Sequence, residues 1–351
     1  MRRKSRQIKI GSVTIGGDAP IRIQSMTNTE TSDVDATVAQ IERMTEAGCE
    51  LIRVSVPDSN SAQAIKDIKK RISIPLIADI HFNWRMALEA IDQGADAIRI
   101  NPGNIGEKDI EKIVIRAKEA GVPVRIGVNG GSLKKKFLKK YGHPIPEALV
   151  ESALETVSLF EKLDFYQTKI SVKTSSVPTT IEAYRLIAKE VDYPLHVGVS
   201  EAGPLYSGMV KSSVGIGTLL SEGIGDTIRV SLTADPVEEV RVAREILKSL
   251  GLKKGIEIIS CPTCARCQVD LISLVGEVEK LLSTYNGTPI KIALMGCVVN
   301  GPGEAAEADV GIAAGSGAGI LFKKGKILRR LEEKDYVRVL MSEIEKLATG
   351  R

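Results

Sequence analysis

The chain has little of what marks several classes of protein. Phe, Trp and Tyr make up only 4% of its 351 residues, with one Trp, which argues against a protein that stacks single-stranded bases on aromatic rings. Charge of one sign is not concentrated either. The 48 Lys and Arg face 44 Asp and Glu for a formal net charge of +4, without the basic stripe of a nucleic-acid binder. No run approaches the ~20 apolar residues of a membrane span. The basic start Met1-Arg2-Arg3-Lys4 leads into Gln7-Ile8-Lys9-Ile10, not into the apolar stretch of a secretory signal. Neither nucleic acid nor membrane is expected as a partner. Five cysteines, an odd number, fit a reducing cytoplasm better than a disulfide framework.

Those cysteines are unevenly placed. Cys49 stands alone, while the other four fall in Ser260-Cys261-Pro262-Thr263-Cys264-Ala265-Arg266-Cys267 and in Gly296-Cys297-Val298-Val299-Asn300-Gly301-Pro302-Gly303-Glu304. Thiols gathered on turn-rich backbone point to a soft metal centre, zinc or iron–sulfur. Cys261 and Cys264 can chelate one metal or two irons of one cluster, and the glycines around Cys297 allow close backbone approach. Two completions stay open. Glu304 could supply a fourth, more easily exchanged oxygen bond to an iron, leaving a site for Lewis-acid and one-electron chemistry. Alternatively, Cys267 could complete a structural zinc site made of four thiolates.

Upstream of the thiols one theme recurs: a short β-branched run, a polar or glycine-rich turn, then a segment of helical period. Eight such strands are predicted, at 21–25, 51–56, 76–80, 97–101, 123–128, 169–173, 195–199 and 227–232. Gly48, Gly94 and Gly121 are placed to end helices. The expected fold class is α/β: a TIM (β/α)8 barrel over residues 1–247, followed by a smaller α+β domain over 248–351. One long connection, Gly130 to Tyr166, is expected to carry an extra basic helix over 133–141, and Lys134-Lys135-Lys136 reads best as its solvated face.

The barrel strands carry charge in an unusual place. Ile52-Arg53-Val54, Ile98-Arg99-Ile100, Val124-Arg125-Ile126 and Ile228-Arg229-Val230 each flank Arg with β-branched residues. Alternation along a strand sends the apolar neighbours to the helices and the four arginines inward. A barrel interior is normally Val, Ile and Leu, and an unpaired buried guanidinium is costly. Either each arginine braces against a buried acid such as Asp79 or Glu201, or a polyanionic ligand occupies the mouth, held by bidentate Arg–phosphate contacts. The four together favour the ligand, and two phosphates suit so many cations better than one. Asn101, Asn129 and Ser231 at strand ends, with Lys173 and Lys211, extend the same binding set. Asp79 and His81 share a strand face, and Glu201 leaves a strand at the same end, which makes these three the acid–base candidates.

At these residues the chain resembles the bacterial 4-hydroxy-3-methylbut-2-enyl diphosphate synthase family, the iron–sulfur reductases of the non-mevalonate isoprenoid pathway. The two cysteine segments match its cluster motifs. Gln24-Ser25-Met26-Thr27, Arg99-Ile100-Asn101-Pro102-Gly103 and Arg125-Ile126-Gly127-Val128-Asn129 match its barrel. The resemblance spans essentially the whole chain. It implies a second domain related to sulfite-reductase modules, holding a [4Fe–4S] cluster on Cys261, Cys264, Cys297 and Glu304, with Asn300 beside it. It implies a head-to-tail homodimer, electrons from flavodoxin or ferredoxin, and 2-C-methyl-D-erythritol 2,4-cyclodiphosphate as the small-molecule substrate. Arg53, Arg99, Arg125, Arg229, Lys173 and Ser231 would then hold the diphosphate, with Glu201 assisting proton delivery. Cys267 lies outside the expected ligand set.

Overall fold

A computed structural model describes residues 2–282, 285, 288–297 and 307–349. The chain divides into two compact units, Met1–Leu252 and Lys253–Arg351.

The first unit opens with a hairpin, β1 (Ile8–Ile10) and β2 (Val13–Ile15), paired antiparallel around Gly11-Ser12. Eight parallel strands follow: β3 (Arg22–Met26), β4 (Leu51–Ser55), β5 (Leu76–Ile80), β6 (Ala97–Ile100), β7 (Val124–Asn129), β8 (Thr168–Lys173), β9 (His196–Val197) and β10 (Thr227–Ile228). Their order is β8-β7-β6-β5-β4-β3-β10-β9. A parallel bridge between Ile170 and Leu195 joins the two ends of that order, so the sheet closes on itself. This is the expected barrel, with all eight strands where alternation and turn signals place them. The last two are shorter than expected. Beyond Val197 and Ile228 the paired backbones part and meet again at the Pro204–Thr233 bridge.

Local chemistry sets the helix ends. Asp33, Asp58, Asn83, Ser176 and Asp235 each accept a hydrogen bond from a first-turn amide of the helix they precede. Gly48, Gly94 and Gly121 take φ of +109°, +91° and +67°, the left-handed conformation that ends a helix before the next strand. The long connection after β7 holds a short basic helix (Lys135–Tyr141) and then the ring helix Pro146–Lys162. Ile52, Val54, Ile98, Ile100, Val124, Ile126, Ile228 and Val230 are buried in the shell between strands and helices, so the arginines between them face inward.

The hairpin is an element that the sequence reading left out. Ile8, Ile10 and Ile15 pack with Leu51, Ile77 and Ala97 from the N-terminal ends of β4, β5 and β6. The hairpin therefore stoppers the barrel at the end opposite the strand C-termini.

The second unit is one mixed sheet, β11 (Glu257–Ser260), β12 (Lys291–Met295), β13 (Val310–Ala313), β14 (Ala318–Lys323) and β15 (Lys326–Glu332), in sequential order. The first three are parallel and the last two antiparallel. Helices Leu271–Leu282 and Tyr336–Thr349 share a core with one sheet face, through Val278, Leu282, Leu294, Ile312, Leu340 and Ile344. No helix among the described residues is long and apolar enough to cross a membrane.

Ile10 is 1% exposed. Ile10→Ala is expected to lower unfolding free energy by about 2–5 kcal/mol in urea titration of the full chain; a loss under about 0.5 kcal/mol would mean that the hairpin merely lies on the barrel.

Candidate active site and metal centre

At the strand C-termini a cavity of about 210 Å³ is lined by Arg53, Asp79, His81, Arg99, Arg125, Asn129, Lys173, Glu201, Arg229 and Ser231, together with Met26, Ser171, Val199 and Ser200. Ten of the predicted barrel residues thus converge. Two do not. The Asn101 carboxamide is occupied within loops, donating to Ser132 Oγ at 2.6 Å and accepting from the Gly103 amide at 3.0 Å. Lys211 projects, exposed, from the helix Leu205–Ser221. Neither lines the cavity: Asn101 lies just past the end of β6, where alternation no longer sets direction, and Lys211 sits on a helix.

The cations outnumber the groups that could neutralise them. Asp79, 1% exposed, receives Arg99 Nη1 at 3.0 Å, Arg53 Nε at 3.4 Å and His81 Nε2 at 3.4 Å. Burial alone would raise its pKa, but Arg53 and Arg99 outweigh burial and hold it well below the usual carboxylate range. Arg229 Nη2 lies 3.5 Å from Glu239 Oε2. Glu239 reaches in from the helix Pro236–Ser249 and also accepts from Ser25 Oγ and the Leu232 amide, each at 3.0 Å. Arg125 has no such partner: its Nε and Nη1 are buried without a hydrogen bond. Burial, with Arg53 and Arg99 beside it, pushes its proton affinity down. Bracing by acids therefore accounts for Arg53, Arg99 and Arg229, through Asp79 and Glu239, and leaves Arg125 and Lys173 for an anion. Glu201 braces none of them. It is exposed at the rim with φ +51°, a strained conformation for a non-glycine residue.

Two strand glycines make room for these side chains. A Cβ at Gly127 would stand 2.5 Å from Arg99 Nε, and one at Gly198 would stand 2.8 Å from Lys173 Nζ. With its amide turned to satisfy both ends, Asn129 accepts from Arg99 Nη2 at 3.1 Å. Sequence reasoning missed Glu239, Met26, Ser171 and Ser200. The signal for Glu239 was present: it shares a helix face with Ala243 and Ile246, both buried.

The thiols sit where β11 and β12 end side by side. Ser260 is in register with Leu294, and the Cys261 amide donates to the Leu294 carbonyl. The Gly296 amide donates to Cys261 Sγ at 3.3 Å, and any Cβ on Gly296 would collide with Cys267 Sγ. Cys264 lies exposed on the turn between them. The Arg266 amide, and after it the Arg266 guanidinium, hold its thiol below the ordinary value. Cys261, Cys264, Cys267 and Cys297 are all unbridged. A side-chain-free cradle at Gly296 with an N–H donated to sulfur suits thiolate ligation of a soft metal centre. Among the described residues no three His, Cys, Asp or Glu side chains are arranged to hold a single metal ion. Asn300 and Glu304 lie outside the described residues. Cys49 serves packing: burial pushes its thiol up to about 12.

A closed parallel barrel with a cation-lined mouth, on one chain with a thiol-bearing sheet unit, defines a barrel enzyme for phosphorylated substrates with a soft-metal module. The family descriptions "GcpE TIM-barrel domain" and "GcpE protein C-terminal domain" match residues 5–244 and 257–346. The chain belongs to the GcpE family. It is 60% identical over 349 residues to 4-hydroxy-3-methylbut-2-en-1-yl diphosphate synthase (flavodoxin) of Caldanaerobacter subterraneus, covering 99% of this chain and 98% of that one. It is 56% identical to the protein of the same name from Bacillus subtilis, covering 99% and 92%. Among solved structures, a dihydropteroate synthase from Stenotrophomonas maltophilia superposes with a TM-score of 0.52 at 15% identity, over 70% of this chain and 97% of that one. That likeness is one of barrel fold alone.

The Gly296 cradle makes a testable pair of variants. Gly296→Ala is expected to destabilise the second unit by about 1–3 kcal/mol through overpacking. Adding Cys267→Ala should restore most of the loss in denaturant titration, and no recovery would mean that Cys267 is not what the added methyl strikes.

Proposed function

We infer that the protein is an oxidoreductase of non-mevalonate isoprenoid biosynthesis. It opens the ring of 2-C-methyl-D-erythritol 2,4-cyclodiphosphate with two electrons, loses water, and yields 4-hydroxy-3-methylbut-2-enyl diphosphate. Family membership over both units supports this reading. The single structural observation that carries it is the surplus of buried cations around an unpartnered Arg125.

The charge balance of the reaction suits that surplus. The cyclic substrate carries one ionised oxygen on each phosphorus. Breaking the ring carbon–oxygen bond leaves that oxygen on phosphate as a further negative charge, and the departing hydroxyl needs one proton to leave as water. Dianion, two electrons and one proton thus become trianion and water. Arg53, Arg99, Arg125, Arg229, Lys173 and Ser231 would hold the diphosphate, with Asn129 orienting Arg99. Cations poised for a charge that grows during the reaction favour the transition state over the ground state. Glu201, at the rim, and His81, beside Asp79, would deliver the proton.

The family is one of iron–sulfur enzymes, and the thiols of the second unit fit that group. We assign a [4Fe–4S] cluster to Cys261, Cys264, Cys297 and Glu304, with Asn300 next to it. Bound there, the cluster would supply the electrons one at a time and a Lewis-acidic iron. Flavodoxin, which the relatives' names specify, is the proposed donor, with ferredoxin the alternative. A head-to-tail homodimer and a cytoplasmic location complete the proposal.

The test is metal and sulfide analysis of anaerobically purified protein, followed by turnover of the cyclic diphosphate with a strong reductant. About four irons and four sulfides per chain with ring-opened product support the reading; one zinc without sulfide overturns it. Arg125→Met should keep the iron content yet lower kcat/KM by roughly 10²-fold, the loss of a buried charge-assisted contact.

A further inference from the structure

The last barrel strand leaves the sheet early. Pairing of β10 with β3 and β9 covers only Thr227 and Ile228, yet two residues of the diphosphate set, Arg229 and Ser231, lie beyond it. The Arg229 amide still donates to the Val197 carbonyl at 2.9 Å, and further on the Thr233 amide donates to the Gly203 carbonyl at 2.9 Å. Between these points the Leu232 amide turns to a side chain and donates to Glu239 Oε1 at 3.0 Å. A carboxylate from the helix Pro236–Ser249 thus takes the acceptor place that a neighbouring strand would otherwise fill.

The second oxygen of the same carboxylate holds side chains. Glu239 Oε2 accepts from Ser25 Oγ on β3 at 3.0 Å and stands 3.5 Å from Arg229 Nη2. Glu239 and Ser25 are both buried, so water does not compete for these contacts. Arg229 Nε, also buried, has no partner and keeps a donor for a ligand. The reach of Glu239 follows from the first turn of its helix. Asp235 caps that turn by accepting from the Val237 amide at 2.9 Å, and Pro236, Val237 and Val240 are buried around it. The adjacent acid, Glu238, pairs instead with the exposed Arg241 at 2.6 Å.

We propose that Glu239 is a positioning residue for the diphosphate: it sets the backbone leaving β10 so that Arg229 and Ser231 meet the same anion, and Ser25 tethers the carboxylate that does so. This role presupposes the substrate assignment made above. Two effects of the carboxylate oppose each other. Its negative charge beside Arg229 repels a diphosphate, so its neutralisation would tighten binding if Coulomb attraction alone decided. Its hydrogen bonds hold two ligand contacts in place, so their loss weakens binding. The sign of the change separates a positioning role from a charge that merely braces an arginine.

Calorimetric titration of the cluster-loaded, unreduced protein with 2-C-methyl-D-erythritol 2,4-cyclodiphosphate reads that sign. Glu239→Gln, close in shape but unable to offer both oxygens, should raise Kd about tenfold, the size of a lost charge-assisted contact. Ser25→Ala leaves the carboxylate in place but untethered and should raise Kd by a smaller factor, about threefold. On an Arg229→Met background, the further loss from Glu239→Gln should shrink to under about threefold, because the carboxylate acts through that guanidinium. An unchanged or tighter Kd in folded Glu239→Gln, or the full tenfold loss retained without Arg229, overturns the inference alone. If Glu239→Gln does not fold, Ser25→Ala decides, and an unchanged Kd there overturns it. Absence of binding by the wild type overturns the substrate assignment as well.

Discussion

The interior of the barrel holds more positive charge than the chain neutralises, and much else follows from that constraint. Asp79 is the buried carboxylate of the mouth, and it is divided among two guanidinia and an imidazole. Glu239 enters from the helix Pro236–Ser249 and brings a second buried carboxylate to Arg229. An interior of this kind is a poor stabilising core, since buried charges give back little of what their desolvation costs. The shell between strands and helices, built from Ile, Val and Ala, therefore carries stability, and the interior is released for binding.

The second unit solves a different problem with equally plain means. Parallel strands end with their last carbonyls and amides side by side, so two turns leaving adjacent ends bring residues distant in sequence together. Cys261 and Cys297 follow β11 and β12, and Gly296 lets the turns touch. The antiparallel strands and two helices hold this pair flat and give it a core of its own.

Much of this was legible in the sequence because it rests on local periodicity. Alternation placed Arg53, Arg99 and Arg125 inside, and glycine placed the ends of three helices. Other features depend on contacts between elements. Glu239 looked like an ordinary first-turn acid on a surface helix, although its spacing to Ala243 and Ile246 pointed inward. The hairpin at Ile8–Ile15 was visible as alternation around Gly11-Ser12, yet nothing local says that it should enter a barrel. Asn101, just past the end of β6, turns its side chain to Ser132 and does not line the cavity, a direction that strand alternation does not specify. Lys169, buried inside the barrel, shares a strand face with Lys173, a spacing already present in the sequence.

The hairpin at the far end carries a kinetic meaning. A vessel stoppered at its base has one doorway, so whatever is made inside must leave by the path along which the next molecule arrives. Arrival and departure then exclude one another, and accumulated diphosphate product acts as a plain competitor of the incoming ring. Entry and exit thus share one opening, a constraint laid down by the hairpin Ile8–Ile15.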